Sequence, residues 1–74
     1  LYYAFQEYYG ISPIKYLRLV RYARVRRDLL TADHKTTVTD VAAKWHFWHF
    51  GRFSVEYKSL YGESPSATLN KASR

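Results

Sequence analysis

Cysteine and methionine are both absent from the 74 residues. Without cysteine, neither a disulfide nor a thiolate metal site can form, and a reducing compartment suits the chain. Long apolar runs are missing as well: none approaches the roughly 20 residues that span a bilayer. Glycine occurs three times and proline twice, so each reads as punctuation at an element boundary. Acidic residues are scarce, six against 12 Lys and Arg, which leaves a formal charge of +6. Such an imbalance favours an anionic partner: nucleic acid first, an acidic membrane surface or acidic protein second.

Apolar side chains are plentiful. Hydrophobic residues make up 47% and aromatic residues 19%, with eight Tyr, four Phe and two Trp. That is too apolar for a disordered segment, and a chain this short needs so rich a core to fold.

The chain repeats itself. With Leu1 set on Phe53, Leu1-Tyr2-Tyr3-Ala4-Phe5 falls on Phe53-Ser54-Val55-Glu56-Tyr57. In the same register Tyr9-Gly10-Ile11-Ser12-Pro13 falls on Tyr61-Gly62-Glu63-Ser64-Pro65, and Leu17 on Leu69. In each copy apolar residues recur every four positions, which makes one helical stripe. Gly then stops the helix, because it adopts the left-handed conformation without a Cβ penalty. Ser caps the next helix and Pro occupies its first position. The second copy is preceded by Thr37 through Arg52, whereas the first has no such counterpart, so the chain is expected to be an N-terminally truncated fragment.

The pattern predicts an all-α fold. Residues 1–9 read as a short helix and 13–32 as a long one, about 30 Å at 1.5 Å per residue. The long helix carries two apolar stripes: Tyr16, Leu19, Val20, Ala23 and Leu30 on one, Ile14, Tyr22, Val25 and Leu29 on the other. A surface helix needs one stripe, so two place it between two packing units. Its polar positions hold Lys15, Arg18, Arg21, Arg24, Arg26 and Arg27, read as a solvated or diffusely DNA-facing set. Thr37-Val38-Thr39-Asp40 resembles a capping box with Asp in the Glu place. A helix then runs through Val41 to Trp45, a tight turn follows near His46, and a further helix covers roughly 49–60. Ser64-Pro65 opens a last short helix.

A short helix, a turn and a second helix are the parts of a DNA-reading helix-turn-helix, whose second helix enters the major groove. Ala42-Ala43 allows close approach, and Val41 and Phe47 can fill the angle between the helices. Thr37-Val38-Thr39-Asp40-Val41-Ala42-Ala43, His46-Phe47, Gly51-Arg52-Phe53-Ser54, Tyr57-Lys58 and Gly62-Glu63-Ser64-Pro65-Ser66 resemble the second helix-turn-helix signature of the AraC/XylS family of transcription regulators. Gly10-Ile11-Ser12-Pro13, Tyr16-Leu17-Arg18, Arg21, Ala23-Arg24 and Leu29-Leu30 look like that family's linker helix. The resemblance implies homeodomain-like units joined by a long helix. Residues 1–10 would be the remnant recognition helix of a first unit, 11–33 the linker helix, and 34–74 the second unit with its C-terminal helix.

Carried over residue by residue, the resemblance implies DNA contacts from His49, Phe50, Gly51, Arg52, Ser54, Val55 and Lys58, and from Tyr2, Tyr3 and Gln6 in the first unit. Leu1, Phe5, Val41, Phe47, Phe53 and Tyr57 match core positions. Three residues depart from the family's pattern. His46 stands where Gly is usual, at a cost of about 1–2 kcal/mol if the turn is left-handed. Val55 stands where a base-contacting Arg is common and can offer only apolar contact, such as to a thymine methyl. Trp48 stands where a small N-cap is usual.

Other chemistries find little support. His46 and His49 are three apart, but no Cys or carboxylate completes a metal set. Ser12 and Ser64 read as caps, Ser54 has no His-acid arrangement, and no glycine-rich phosphate loop is present. Neither catalysis nor a cofactor is expected. The resemblance implies double-stranded DNA as partner, contact with RNA polymerase, an effector-binding or dimerisation domain upstream, and a cytoplasmic location without membrane association. The alternative class is a basic amphipathic helical module that binds a protein or an acidic membrane surface.

Overall fold

The computed structural model describes residues 10–72, which form four α-helices and no strand. These are α1 (Pro13–Leu30), α2 (Val38–Lys44), α3 (Phe50–Tyr61) and α4 (Pro65–Ala72). The helix expected over 1–9 lies outside the described residues, and with it Leu1, Phe5 and the three site residues Tyr2, Tyr3 and Gln6.

The punctuation acts where the sequence places it. The Ser12 side chain accepts the Lys15 N–H at 3.2 Å, with Pro13 at the first helical position of α1. Thr37 accepts the Asp40 N–H at 3.1 Å and starts α2. Ser64 accepts the Ala67 N–H at 3.1 Å ahead of α4. Gly62, at φ 74°, ends α3, a backbone conformation that only glycine reaches without strain.

One boundary differs. α1 ends at Leu30, two residues before the expected limit of 32. The Thr31 amide and hydroxyl both donate to the Arg27 carbonyl, at 3.1 and 2.9 Å. The Asp33 carboxylate then accepts the Lys35 N–H and the Thr36 hydroxyl, at 2.9 and 3.0 Å. Short polar side chains of this kind bond to nearby backbone and compete with helix, so the helix stops without glycine or proline.

The core is built from one stripe of α1 and the inner faces of α2 and α3. Tyr22, Val25 and Leu29 meet Val38, Val41, Ala42, Phe53 and Tyr57, all buried. Trp45, Phe47, Tyr61 and Leu69 close its edges. The other stripe of α1 is not covered in the same way: Ala23 and Leu30 are exposed, and Leu19 and Val20 are half-buried.

A polar network fastens α4 to α1 and α3. The Tyr57 hydroxyl donates to Thr68 Oγ1 at 2.8 Å and accepts from the Arg26 guanidinium at 3.3 Å. Thr68 in turn donates to Glu63, which also pairs with Lys71 and, at 3.7 Å, with Arg26. Hydrogen bonds from Lys71 and then Thr68 hold the Glu63 carboxyl below its ordinary range. No buried side-chain polar atom among the described residues lacks a partner. Arg26 belongs to the set expected to be solvated or to face DNA diffusely. It is engaged instead, because it also lies over the Tyr61 ring at 4.7 Å.

Candidate nucleic-acid interface

The turn between α2 and α3 fixes everything beyond it. His46 has φ 67° and is the one non-glycine residue with positive φ among those described. Its N–H donates to the Ala43 carbonyl at 3.0 Å, and the Phe47 N–H donates to the Ala42 carbonyl at 2.9 Å. These two bonds define a Schellman end, in which the left-handed residue is normally glycine. His46 therefore carries the strain foreseen for it. We expect His46→Gly to stabilise the fold by about 0.5–1 kcal/mol, the relieved strain less the added freedom of the unfolded chain. A urea titration measures this, and an unchanged or lowered midpoint would show the turn to be unstrained.

Arg21 holds the turn from outside. From the middle of α1 its guanidinium donates to the Trp45 carbonyl from Nε at 3.0 Å and from a terminal nitrogen at 2.8 Å. It also donates to the His46 carbonyl at 2.8 Å and lies over the Phe47 ring at 4.3 Å. The carbonyls left over at a helix C-terminus attract a cation for both hydrogen-bonding and dipole reasons. The expectation that Arg21 belongs to a solvated or diffusely DNA-facing set is thus corrected. The match to the linker helix marked its position but not its role, since its partners lie 24 and 25 residues away. Asp28, two turns further along the same face of α1, accepts the Trp45 indole N–H at 2.8 Å and the Lys44 ammonium at 3.1 Å. Those bonds, the indole's first, keep its carboxyl below the usual range.

Phe47 packs on Tyr22 at 4.4 Å and on Phe53 at 5.2 Å, so the turn is bolted to the core through its aromatic residue. Tyr22 is buried and lies against Glu56, and burial first, then that carboxylate, pushes its hydroxyl up to about 12. α3 follows with His49 as N-cap, not Trp48, and no side-chain cap bond is made. The first helical bond runs from the Phe53 N–H to the His49 carbonyl at 2.9 Å. Helix start is set here by the turn and by the packing of Phe53 rather than by capping chemistry.

α3 turns Phe53 and Tyr57 inward and leaves its opposite side open. At 100° per residue Gly51, Val55 and Lys58 follow one another along the outer line; all three are exposed. Arg52 lies on one flank and Ser54, half-buried, on the other. His49, Phe50, Gly51 and Arg52 come together with Trp48 around an open depression of about 630 Å³. Phe50 has two loyalties: it is 45% exposed, yet its ring sits 5.8 Å from that of Phe53. Arg52 and Arg18 flank Glu56 at 3.9 and 3.8 Å. Trp48, 72% exposed, joins this surface although the resemblance implies no contact from it. No group of three potential metal ligands occurs among the described residues, nor is any described helix long and apolar enough to cross a membrane.

Comparison with known proteins agrees with this geometry. The family described as "Helix-turn-helix domain" matches residues 1–71. The chain belongs to the AraC-type helix-turn-helix family. Over 66 residues it is 44% identical to the "Probable thc operon regulatory protein" of Rhodococcus erythropolis, an overlap of 88% of this chain and 20% of that protein. It is 37% identical over 71 residues to "XylDLEGF operon transcriptional activator 2" of Pseudomonas putida, covering 95% of this chain and 45% of the relative. With "XylDLEGF operon transcriptional activator 1" of the same organism it shares 35% identity over 72 residues, 96% of this chain and 22% of the relative. The chain thus spans less than half the length of these relatives. No solved structure matches it significantly. Membership makes this AraC-type domain a sequence-specific DNA-binding element of transcription regulation, and the interaction-module alternative is not favoured. The matched relatives are named as a regulatory protein and as transcriptional activators.

Proposed function

We propose that α3 is the reading helix of this domain and lies in the major groove, with α2 braced across its back. The observation that carries this is the outer face of α3, which is solvent-exposed and follows a turn locked by a Schellman end and by Arg21. Arg52 reaches a phosphate or a guanine edge, and Lys58 a phosphate. His49, Phe50, Gly51, Ser54 and Val55 complete the contact face, and Tyr2, Tyr3 and Gln6 serve a first unit. Residues 34–74 form the second unit and 11–33 the linker helix. For the whole protein we propose an upstream effector-binding or dimerisation domain and contact with RNA polymerase. The relatives named as transcriptional activators support that reading, since more than half of each lies outside the matched region.

Arg52→Ala tests the assignment. Its one ion pair among the described residues joins an exposed Arg52 to Glu56 at 3.9 Å within one helix, which contributes little to stability. Helix content is therefore expected to stay unchanged, while affinity for a selected duplex falls about tenfold. Fluorescence anisotropy at two salt concentrations separates the two roles. A phosphate contact lowers the salt slope by about one, and a guanine contact relaxes preference at one base pair. Wild-type affinity in the variant removes Arg52 from the interface.

A further inference from the structure

Gly51 has no role in the fold. It sits in the first turn of α3, away from the positive-φ region that would call for glycine. Among the described residues a Cβ built on it meets nothing within 4 Å, so none of the described elements needs the space. Glycine is a poor choice within a helix, because the unfolded chain gains freedom and nothing is packed in return. The remaining physical use of a missing side chain is close approach of something outside the molecule.

The surroundings say what approaches. Trp48, 72% exposed, and Phe50 line the same shallow depression as Gly51, together with His49 and Arg52, and Val55, 71% exposed, follows Gly51 one turn on along α3. Apolar side chains thus precede and follow a backbone that is bare of side-chain atoms, on a surface that also holds His49, Arg52 and Lys58. An apolar recess within a cationic face fits an apolar group carried by a polyanion. In the major groove that group is the thymine 5-methyl.

Resting on the reading of α3 as the groove helix, we infer that Gly51 is the floor of a methyl-reading notch whose walls are Trp48 and Val55. The notch admits a thymine methyl against the helix backbone and so selects T over C at one step of the target. Specificity at this step comes from shape and apolar contact, without a hydrogen bond.

The test uses the whole chain and a duplex enriched from a random pool. Each thymine is replaced in turn by deoxyuracil, which differs only by the missing methyl. One position is expected to lose about fourfold in affinity, the burial of one methyl group. Gly51→Ala is expected to lose about tenfold on the thymine duplex and to be indifferent to deoxyuracil at that position. The same variant should melt a few degrees higher than the wild type, since alanine favours helix. This opposition of stability and affinity is what a merely structural glycine would not show. Val55→Ala supplies a second variant and should reduce the methyl effect while leaving the fold intact. If the wild type selects a duplex but no deoxyuracil matters, or if Gly51→Ala binds as well as the wild type, the notch is overturned while the groove reading stands. If the wild type selects no sequence at all, both are overturned.

Discussion

Phe53→Ala is expected to leave the chain largely unfolded at room temperature. Phe53 is buried in the core, with rings of Tyr22, Phe47 and Tyr57 centred 5.7, 5.2 and 6.1 Å away. Truncating such a residue costs about 3–5 kcal/mol, because the lost transfer energy is joined by a cavity that rigid rings cannot collapse into. A domain of this size holds on the order of 4–11 kcal/mol in total, with the lower end typical of small chains. Far-UV circular dichroism with thermal melting measures the outcome. Phe53→Leu should keep a cooperative transition at a lowered midpoint. A Phe53→Ala variant that melts cooperatively within a few degrees of the wild type would mean that the aromatic cluster is not the centre of stability.

Arg21→Gln is expected to lower stability by about 2–3 kcal/mol. Its fork makes three charge-assisted hydrogen bonds to two carbonyls, a class worth more than neutral bonds, and their loss leaves the end of α2 short of donors. The stack on Phe47 is lost with them. Lysine should recover less than half of the effect, because one ammonium can neither bridge both carbonyls as a planar fork nor stack in the same way. Urea unfolding gives the energy. A DNA titration should show a further loss, since the entry of α3 depends on the turn that Arg21 grips. If Arg21→Gln unfolds at the wild-type midpoint with unchanged slope, the bonds are incidental and the Schellman end alone holds the turn.

Much of this molecule is written locally. Ser12-Pro13, Thr37, Gly62 and Ser64-Pro65 set helix ends through bonds that span only three or four residues, so spacing alone predicts them. Phe53 and Tyr57, four apart, had to share a face with the core, and Gly51, Val55 and Lys58 the opposite face, because a helix repeats every 3.6 residues. The left-handed turn at His46 was foreseeable from the family's glycine at that place, which is an argument from resemblance and not from histidine itself.

Tertiary structure decided the rest, and for one physical reason: long charged and aromatic side chains choose partners by distance in space. Arg21, Arg26 and Lys15 look alike in the sequence of α1. Only the docking of α2 and α3 turns the first into a clamp on two carbonyls and the second into a link between Tyr57 and Glu63. Asp28 became the partner of the Trp45 indole in the same way. Trp48 is the reverse case: the sequence marks it only as a departure at the N-cap place, and the fold leaves it on the surface. The sequence alone determined the four described helices, the caps of α1, α2 and α4, the inner and outer faces of α3 and the charge that suits DNA. The docked helices alone determined which cations brace the turn, and which residues are left free to touch what lies outside.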